Sequence, residues 1–237
     1  MTVVSGSTTI TDAWLQQHNN GSRVIEGRKF TGQVTVAADN VTIRDFVIVG
    51  GMYNVYNNVF TGNPSTGLVL QDGELRNASA SGLAVSNTVA ERLHIHHTAA
   101  DAVKAFSNVV LADSYIHHLG YREGSHSDGV QMVGGRNVTI RGNNFEMRYQ
   151  EPGYTNSQVI ILKTDNGAIS NVHVDRNWIN GGGFSIQVVR KDGAEGLSDI
   201  RITDNRFGRD YQFGPMRISG AEVTRTGNVW DDNGQPL

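Results

Sequence analysis

A histidine and an aspartate stand two positions apart in His126-Ser-Asp-Gly-Val-Gln131, the sharpest chemical motif of the chain. An imidazole and a carboxyl group at this spacing could act together as a general acid and base. Asp128 could instead cooperate with Lys163 from a neighbouring repeat. The structural alternative is that Asp128 caps backbone amides while Gly129 permits a bend. We therefore take His126, Asp128 and Lys163 as the catalytic candidates, on the condition that the protein is an enzyme.

A second segment repeats the aspartate motif and predicts a column of polar side chains. Asp101-Ala-Val-Lys-Ala105 aligns with Asp128-Gly-Val-Gln-Met132. If both are strands with their valines facing inward, the period of two places Lys104 and Gln131 outward, one above the other. Lys163 and Gln187 would extend this column, and Arg190 would end it.

Two long excursions, residues 117–127 and 147–157, precede strands of the same type and are expected to project from one edge. They carry Tyr121, Tyr149 and Tyr154. Stacked polar groups beside aromatic rings favour a groove for sugars, which need directional hydrogen bonds and flat apolar faces. The alternative is a merely solvated strand face, with loops that cover apolar surface. The carbohydrate-binding candidates are Asp101, Lys104, Tyr121, Gln131, Tyr149, Tyr154, Gln187 and Arg190.

Eight histidines raise the question of a metal site. His96-His97 and His117-His118 are adjacent pairs, and neighbours on a strand point to opposite faces, so neither pair alone can chelate one ion easily. A site assembled from His94, His173 or others across repeats has no supporting motif. We therefore predict solvated or turn histidines, no metal site and no cofactor.

The composition excludes several classes of protein. Charged residues are only 18% of the 237 residues, and the net charge of −3 with a pI near 6.2 gives no basic face for nucleic acid. There is no cysteine, and no apolar run approaches the roughly 18 residues of a membrane span. The first residues lack the pattern of a signal peptide. We expect a protein that acts inside the cell or leaves by another route, such as a virus particle.

A repeated sequence motif indicates which structural elements must position these residues. Each copy has an asparagine at its fourth place and a large apolar residue two places later; the copies are Ile140–Phe145, Val174–Ile179, Ile202–Phe207 and Arg225–Trp230. The sequence also contains two families of short strands in which apolar and polar residues alternate. Repeats of about 20 to 34 residues with strands at fixed places are typical of a stacked solenoid. We predict an all-β, single-stranded, right-handed parallel β-helix of about eight coils, whose asparagines bond one another at tight bends and tolerate a left-handed φ.

The chain is predicted to form one domain with two caps. Residues 1–22 form an N-terminal cap, residues 23–230 the coils and residues 231–237 a C-terminal cap. Thr11 and Asp12 begin a short helix that places Trp14 and Leu15 over the first coil. The register of residues 52–64 cannot be assigned from the sequence.

Over nearly its whole length the chain resembles the pectate-lyase-like superfamily of right-handed β-helices. Ser127-Asp-Gly129 resembles the Asn-Thr-Asp-Gly motif of its polygalacturonase-type hydrolases, and Arg217-Ile218 resembles their Arg-Ile-Lys, but their Gly-His-Gly is absent. Calcium-dependent pectate lyases cluster several acidic residues on neighbouring coils, and Asp101 with Asp128 is a sparse version of that cluster. The resemblance thus leaves calcium as a possibility without support from the residues.

A more specific resemblance is to standalone β-helix proteins of actinobacteria and their phages. It is carried by residues 207–215, 163–165 and 227–232. Members of that group occur as virion tail or surface proteins, or as secreted cell-surface proteins. The resemblance implies a virion-surface protein, or alternatively an extracellular one.

Three functions follow as expectations. The first is a phage tail or capsid surface protein that presents a glycan-binding face to host cell-surface or extracellular polysaccharide, with other virion proteins as further partners. The second is a small polysaccharide lyase or glycoside hydrolase with a groove on the β-helix. The third is a non-catalytic capsid or tail decoration protein. Related tailspikes form trimers, but the sequence identifies no trimer interface.

Overall fold

A computed structural model describes residues 1–193 and 196–237, and within them the strands form two parallel sheets. The smaller, sheet B, has nine strands, one from each successive coil. They are β2 (Thr8–Ile10), β4 (Val34–Val36), β6 (Val55–Tyr56), β8 (Leu83–Val85), β10 (Val103–Ala105), β13 (Val130–Met132), β16 (Gln158–Lys163), β19 (Phe184–Val189) and β22 (Gly214–Ser219).

The larger sheet, sheet A, has fifteen strands and divides into two branches after its first five levels. The undivided part contains β1 (Thr2–Ser5), β3 (Val24–Thr31), β5 (Thr42–Val49), β7 (Leu68–Arg76) and β9 (Thr88–His96). One branch contains β11 (Val109–Ala112), β14 (Gly135–Arg141), β17 (Ile169–Asp175), β20 (Leu197–Thr203) and β23 (Val223–Thr226). The other contains β12 (Tyr115–His117), β15 (Asn144–Met147), β18 (Trp178–Gly181), β21 (Arg206–Phe207) and β24 (Val229–Trp230).

Alternation of apolar and polar residues places one side of every coil in the core. In β14, Val138 and Ile140 are buried while Thr139 faces outward. Because the strands pair in parallel and in register, equivalent apolar residues stack from coil to coil. One such stack contains Ile43, Leu70, Ala90, Leu111, Ile140, Val174 and Ile202, all at most 1% exposed. The predicted parallel β-helix is confirmed, with nine sheet B strands in the described residues where about eight coils were expected.

The repeated asparagines form a buried ladder at the bend between the two branches of sheet A. The side-chain oxygen of Asn177 accepts hydrogen bonds from the backbone N–H and the amide group of Asn143, at 2.9 and 3.0 Å. Asn205 and Asn228 repeat this pattern in the next coils. The asparagines themselves, although they tolerate a left-handed φ, do not adopt it. It occurs at the residue before each one, namely Gly142, Arg176, Asp204 and Gly227.

The solenoid has a different covering at each end. Helix α1 (Asp12–His18) begins at Thr11, whose hydroxyl accepts the Trp14 N–H, and Leu15 is 2% exposed against the core. Residues 1–22, predicted as the cap, also contain β1 and β2, which pair with β3 and β4. At the other end the chain folds back, and Pro236 forms a bridge with Val229. A single 3₁₀ turn, Val59–Thr61, lies in the segment whose register was unassigned.

Candidate functional site

The outward residues of sheet B form a column whose register is fixed by strand pairing. Lys104 pairs with Gln131, as predicted. Gln131 pairs next with Ile161, so Lys163 does not continue the column as predicted; it lies two residues farther along and pairs with Val189. The observed column contains Thr35, Tyr56, Ala84, Lys104, Gln131, Ile161, Gln187 and Arg217, of which Ala84 is fully buried. Because Leu162 pairs with Met132, Ile161 rather than Lys163 stands at the level of the column.

Two buried carboxyl groups support the middle of this column. Asp101 accepts the backbone N–H of Asp128 at 2.9 Å and pairs with the Lys104 ammonium group at 2.5 Å. Lys104 also donates to the Gln131 side-chain oxygen at 2.6 Å, and the Gln131 amide donates to Asp128 at 3.1 Å. Asp128 accepts the Gln158 backbone N–H at 3.0 Å. The network therefore holds the Lys104 and Gln131 side chains in fixed positions on the sheet surface.

The carboxyl group of Asp128 is protonated more readily than an ordinary aspartate. Burial, and then the nearby charge of Asp101, raise its pKa to about 7, against the lowering effect of its hydrogen bonds from Gln131 and Gln158. Asp101 and Asp128 are only 1% and 4% exposed. This placement agrees with the structural alternative for Asp128, a carboxyl group that caps backbone amides at the entrance of a coil.

The three catalytic candidates have different surroundings. His126 is exposed and lines a cleft of about 330 Å³ with Gln158 and Phe213. The Lys163 ammonium group pairs with Asp165 at 3.0 Å, while both oxygens of Asp128 accept the hydrogen bonds described above. The cross-coil pair of Asp128 with Lys163 is therefore replaced by separate partners for each residue.

An aromatic group that the sequence did not reveal lies at the upstream end of the column. Tyr53, Tyr56 and Phe60 have ring centroids 5.7 to 5.8 Å apart, and Phe60 contacts Phe106 edge-on at 5.4 Å. Phe60 is 54% exposed. Burial, with smaller effects of the charges of Tyr56 and Asp101, raises the pKa of the Tyr53 hydroxyl. We call Tyr53, Tyr56 and Phe60 the aromatic platform.

A second hollow lies between two loops, residues 148–157 and 208–213. It has a volume of about 530 Å³ and is lined by Arg148, Tyr149, Gln150, Arg209, Asp210, Tyr211 and Gln212. The Tyr149 backbone N–H donates to the Asp210 carbonyl at 3.0 Å, which joins the loops. Tyr149 and Gln212 also line the cleft of His126. The predicted excursion 147–157 thus shapes a groove together with residues 208–213, whose part in a groove was not predicted from the sequence.

The remaining carbohydrate-binding candidates are dispersed. Tyr121 is 43% exposed, and its hydroxyl donates to the Ala78 carbonyl at 3.3 Å. Tyr154 packs edge-on against His97 and His118, on sheet A rather than sheet B. Gln187 lies in the column, and Arg190 lies past the end of β19 in a hollow with Asp192 and Ser219. Of the eight candidates, Asp101, Lys104 and Gln131 form one connected network.

Within residues 1–193 and 196–237, one group of side chains could hold a metal ion, and it consists of histidines of sheet A. His94, His96 and His117 each present a ring nitrogen within 4.8 Å of the others. The adjacent pairs considered in the sequence do not form this group, which takes residues from two neighbouring coils. Its geometry is described below.

A stack of coils with continuous parallel sheets defines a solenoid of the β-helix class. The chain belongs to the right-handed β-helix family, described as "Right handed beta helix region", which matches residues 81–236. The described residues before that range form the same kind of coil.

Solved structures share the fold at low sequence identity. PfbA, a surface adhesin of Streptococcus pneumoniae, has a TM-score of 0.56 and 14% identity over 86% of this chain and 61% of that one. The catalytic domain of a GH87 alpha-1,3-glucanase, in complex with tetrasaccharides, has a TM-score of 0.51 and 12% identity over 97% of this chain and 59% of that one. The chain therefore spans about three fifths of these structures. None of the curated proteins matches it. In the part of the chain that the structure describes, no helix has the length and apolar character needed to cross a bilayer.

Proposed function

We propose that the protein binds polysaccharide along the outward face of sheet B. The observation that carries the proposal is the aromatic platform beside the Lys104–Gln131 network on successive strands of one sheet. Tyr56, Ala84, Lys104 and Gln131 occupy four consecutive levels, a span of about 14 Å. This is a track for an oligosaccharide segment, with flat apolar surface at one end and fixed donors and acceptors at the other.

The rigidity of the network supports binding of flexible chains. Lys104 and Gln131 are held by buried partners, so their side chains lose little further freedom when a sugar binds. The loop groove at Tyr149 and Tyr211 offers a second surface of aromatic, charged and amide groups. In the two fold neighbours the same scaffold serves a surface adhesin and a glucanase domain, which supports an extracellular glycan as the partner.

The test is binding of the purified chain to immobilised bacterial cell-surface polysaccharides and plant pectins, followed by calorimetry with the best binder. Tyr56→Ala removes one ring of the platform and is expected to weaken binding by about tenfold, equivalent to ~1.4 kcal/mol. Tyr115→Ala is the matched control, because it removes a 40% exposed aromatic ring from sheet A. Equal binding by wild type and Tyr56→Ala, or no binding to any polysaccharide, would refute the proposal.

The alternative function is cleavage of the bound polysaccharide. It is favoured by one observation, the raised pKa of Asp128 beside a second carboxyl group, since such pairs supply a general acid near neutral pH. The burial of both groups counts against it. Reducing ends or unsaturated products in the same incubations, lost in Asp128→Asn, would establish the enzyme and replace the binding-only proposal.

The finer part of the proposal places the protein on a phage particle. It rests on the resemblance of residues 207–215 and 227–232 to proteins of actinobacterial phages. An antibody raised against the purified chain should then label intact particles from phage lysates of the source host. Labelling of the bacterial surface alone would contradict the location on a phage particle and indicate a secreted adhesin instead.

A further inference from the structure

Three histidines from neighbouring coils converge on the outward face of sheet A. Strand pairing places His96 beside His117 and His94 beside Tyr115. Ile95 and Ile116 between them are fully buried, so the histidines project to the opposite side of the sheet. Residues two apart on a strand are separated by about 6.7 Å, and adjacent strands by about 4.8 Å. Three histidines at such positions can direct their rings to one point.

The rings do converge. The centroid of His94 lies 4.2 Å from that of His96 and 4.9 Å from that of His117, and the His96 and His117 rings are 5.2 Å apart. The Nε2 atoms of His94 and His117 are 2.6 Å apart. Zinc–nitrogen bonds of about 2.0–2.1 Å in a tetrahedral site place two ligand nitrogens about 3.3 Å apart. The three ligand nitrogens lie within 4.8 Å of one another, so small side-chain rotations suffice to enclose an ion.

We propose that His94, His96 and His117 bind a divalent transition-metal ion of the zinc class. Imidazole nitrogen suits Zn²⁺, Ni²⁺ and Cu²⁺, whereas Ca²⁺ and Mg²⁺ prefer oxygen ligands. Three protein ligands leave a fourth position open for water or another donor. The site lies on sheet A, so it is independent of the sugar-binding face proposed for sheet B.

The surroundings of His96 suit a metal ligand. Its Nε2 contacts the Glu74 carboxylate at 3.2 Å, and its Nδ1 contacts His97 at 2.5 Å. Whichever nitrogen binds the ion, the other keeps a polar partner that fixes the ring, as is usual for histidine ligands. Glu74 pairs with His94 across the strands, so a negative charge stands next to the site.

The site also lies under one of the long excursions. His118, which follows His117, pairs through Nε2 with Glu151 at 3.1 Å and contacts Tyr154 edge-on at 4.8 Å. The same excursion carries Tyr149, which lines the loop groove. A metal that fixes His117 would therefore stabilise a loop anchored on its neighbour.

The experiment uses the full chain without an affinity tag, stripped with a chelator and titrated with Zn²⁺ by calorimetry. We expect about one equivalent of Zn²⁺ per chain and a higher melting temperature in its presence. Replacement of Zn²⁺ by Co²⁺ should give the visible absorption of a tetrahedral site. His117→Asn should weaken Zn²⁺ binding by at least about tenfold.

The controls separate this site from adventitious binding by surface histidines. His126→Asn removes an exposed histidine outside the cluster and should bind Zn²⁺ as wild type does. His94→Asn provides a second ligand variant at a more accessible position, and circular dichroism verifies the fold of each protein. The absence of Zn²⁺ binding, or affinity unchanged in both ligand variants, would mean that the histidines form only a stacked aromatic cluster and would overturn the proposal.

Discussion

At the scale of single residues, Asp128 is expected to make the stability of the protein depend on pH. Its carboxyl group is buried next to Asp101, and its pKa of about 7 lies well above the ordinary value of 3.8. Between these two values the folded chain holds a proton that the unfolded chain has released. The contribution of Asp128 to the free energy of unfolding therefore decreases as the pH rises from about 4 to about 7, and the decrease then ends.

Asp128→Asn, which imitates the protonated form, should remove this decrease. Over this interval, the change in the free energy of unfolding should differ between wild type and Asp128→Asn by on the order of 4 kcal/mol. It would be measured by urea unfolding between pH 4 and pH 8. The control is Asp72→Asn, because the hydrogen bond from Arg92 lowers the pKa of Asp72 and moves its contribution to more acidic pH. An identical pH profile for wild type and Asp128→Asn would contradict the burial argument.

At the scale of elements, two asparagine ladders run through the molecule in different environments. Asn143, Asn177, Asn205 and Asn228 form the buried ladder described above. Asn87, Asn108, Asn137 and Asn171 form one at the surface, each in a left-handed conformation. The amides of the last three each donate to the side-chain oxygen of the preceding asparagine at 2.8 to 2.9 Å. The two ladders have the same side-chain chemistry, so a comparison between them isolates the effect of burial.

Asn177→Ala should destabilise the protein by at least about 3 kcal/mol, since it removes the acceptor of the buried Asn143 backbone N–H. It also removes the hydrogen bonds from the Asn143 amide, to the Ile140 carbonyl and to the Asn205 oxygen, all out of water. Asn137→Gly removes a side chain from the exposed ladder while permitting its φ of 60°. It should cost about 1 kcal/mol or less, because water replaces the lost hydrogen bonds. Thermal and urea unfolding of the two variants check this difference. Equal losses would show that burial is not what makes the inner ladder important.

The elements also show how much of the site can be predicted from the sequence. Lys104 above Gln131 was predictable, because both follow an aspartate and an inward valine in matching segments. The aromatic platform was not predictable from the sequence, since Tyr56 lies on a two-residue strand and Phe60 in a 3₁₀ turn, and neither element carries a repeat signal. The histidine site was within reach: Ile95-His-His97 and Ile116-His-His118 are the same tripeptide, and aligning their buried isoleucines places His96 beside His117. His94 and His96 share one face of the strand, whereas the two members of an adjacent pair point to opposite faces.

At the scale of the whole molecule, each coil contacts only its neighbours, so stability is expected to vary along the solenoid axis. Central strands such as β13 pair on both sides. Within the described residues, β1, β22 and β23 pair on one side only, and β24 has just the isolated bridge to Pro236 on its outer side. Terminal coils should therefore open locally at a smaller free energy than central ones.

Hydrogen exchange followed by mass spectrometry should reveal this gradient, with slow exchange in β13 to β17 and faster exchange in β1, β23 and β24. Leu15→Ala in the capping helix should increase exchange in β2, which contacts the helix, and in β4, which pairs with β2, and leave β19 unchanged. Val138→Ala, a buried truncation in a central coil, is the matched control and should not selectively expose the N-terminal strands. Uniform acceleration along the chain in Leu15→Ala would show that the coils unfold as one cooperative unit, and the proposed binding face on sheet B would then depend on the cap as much as on its own strands.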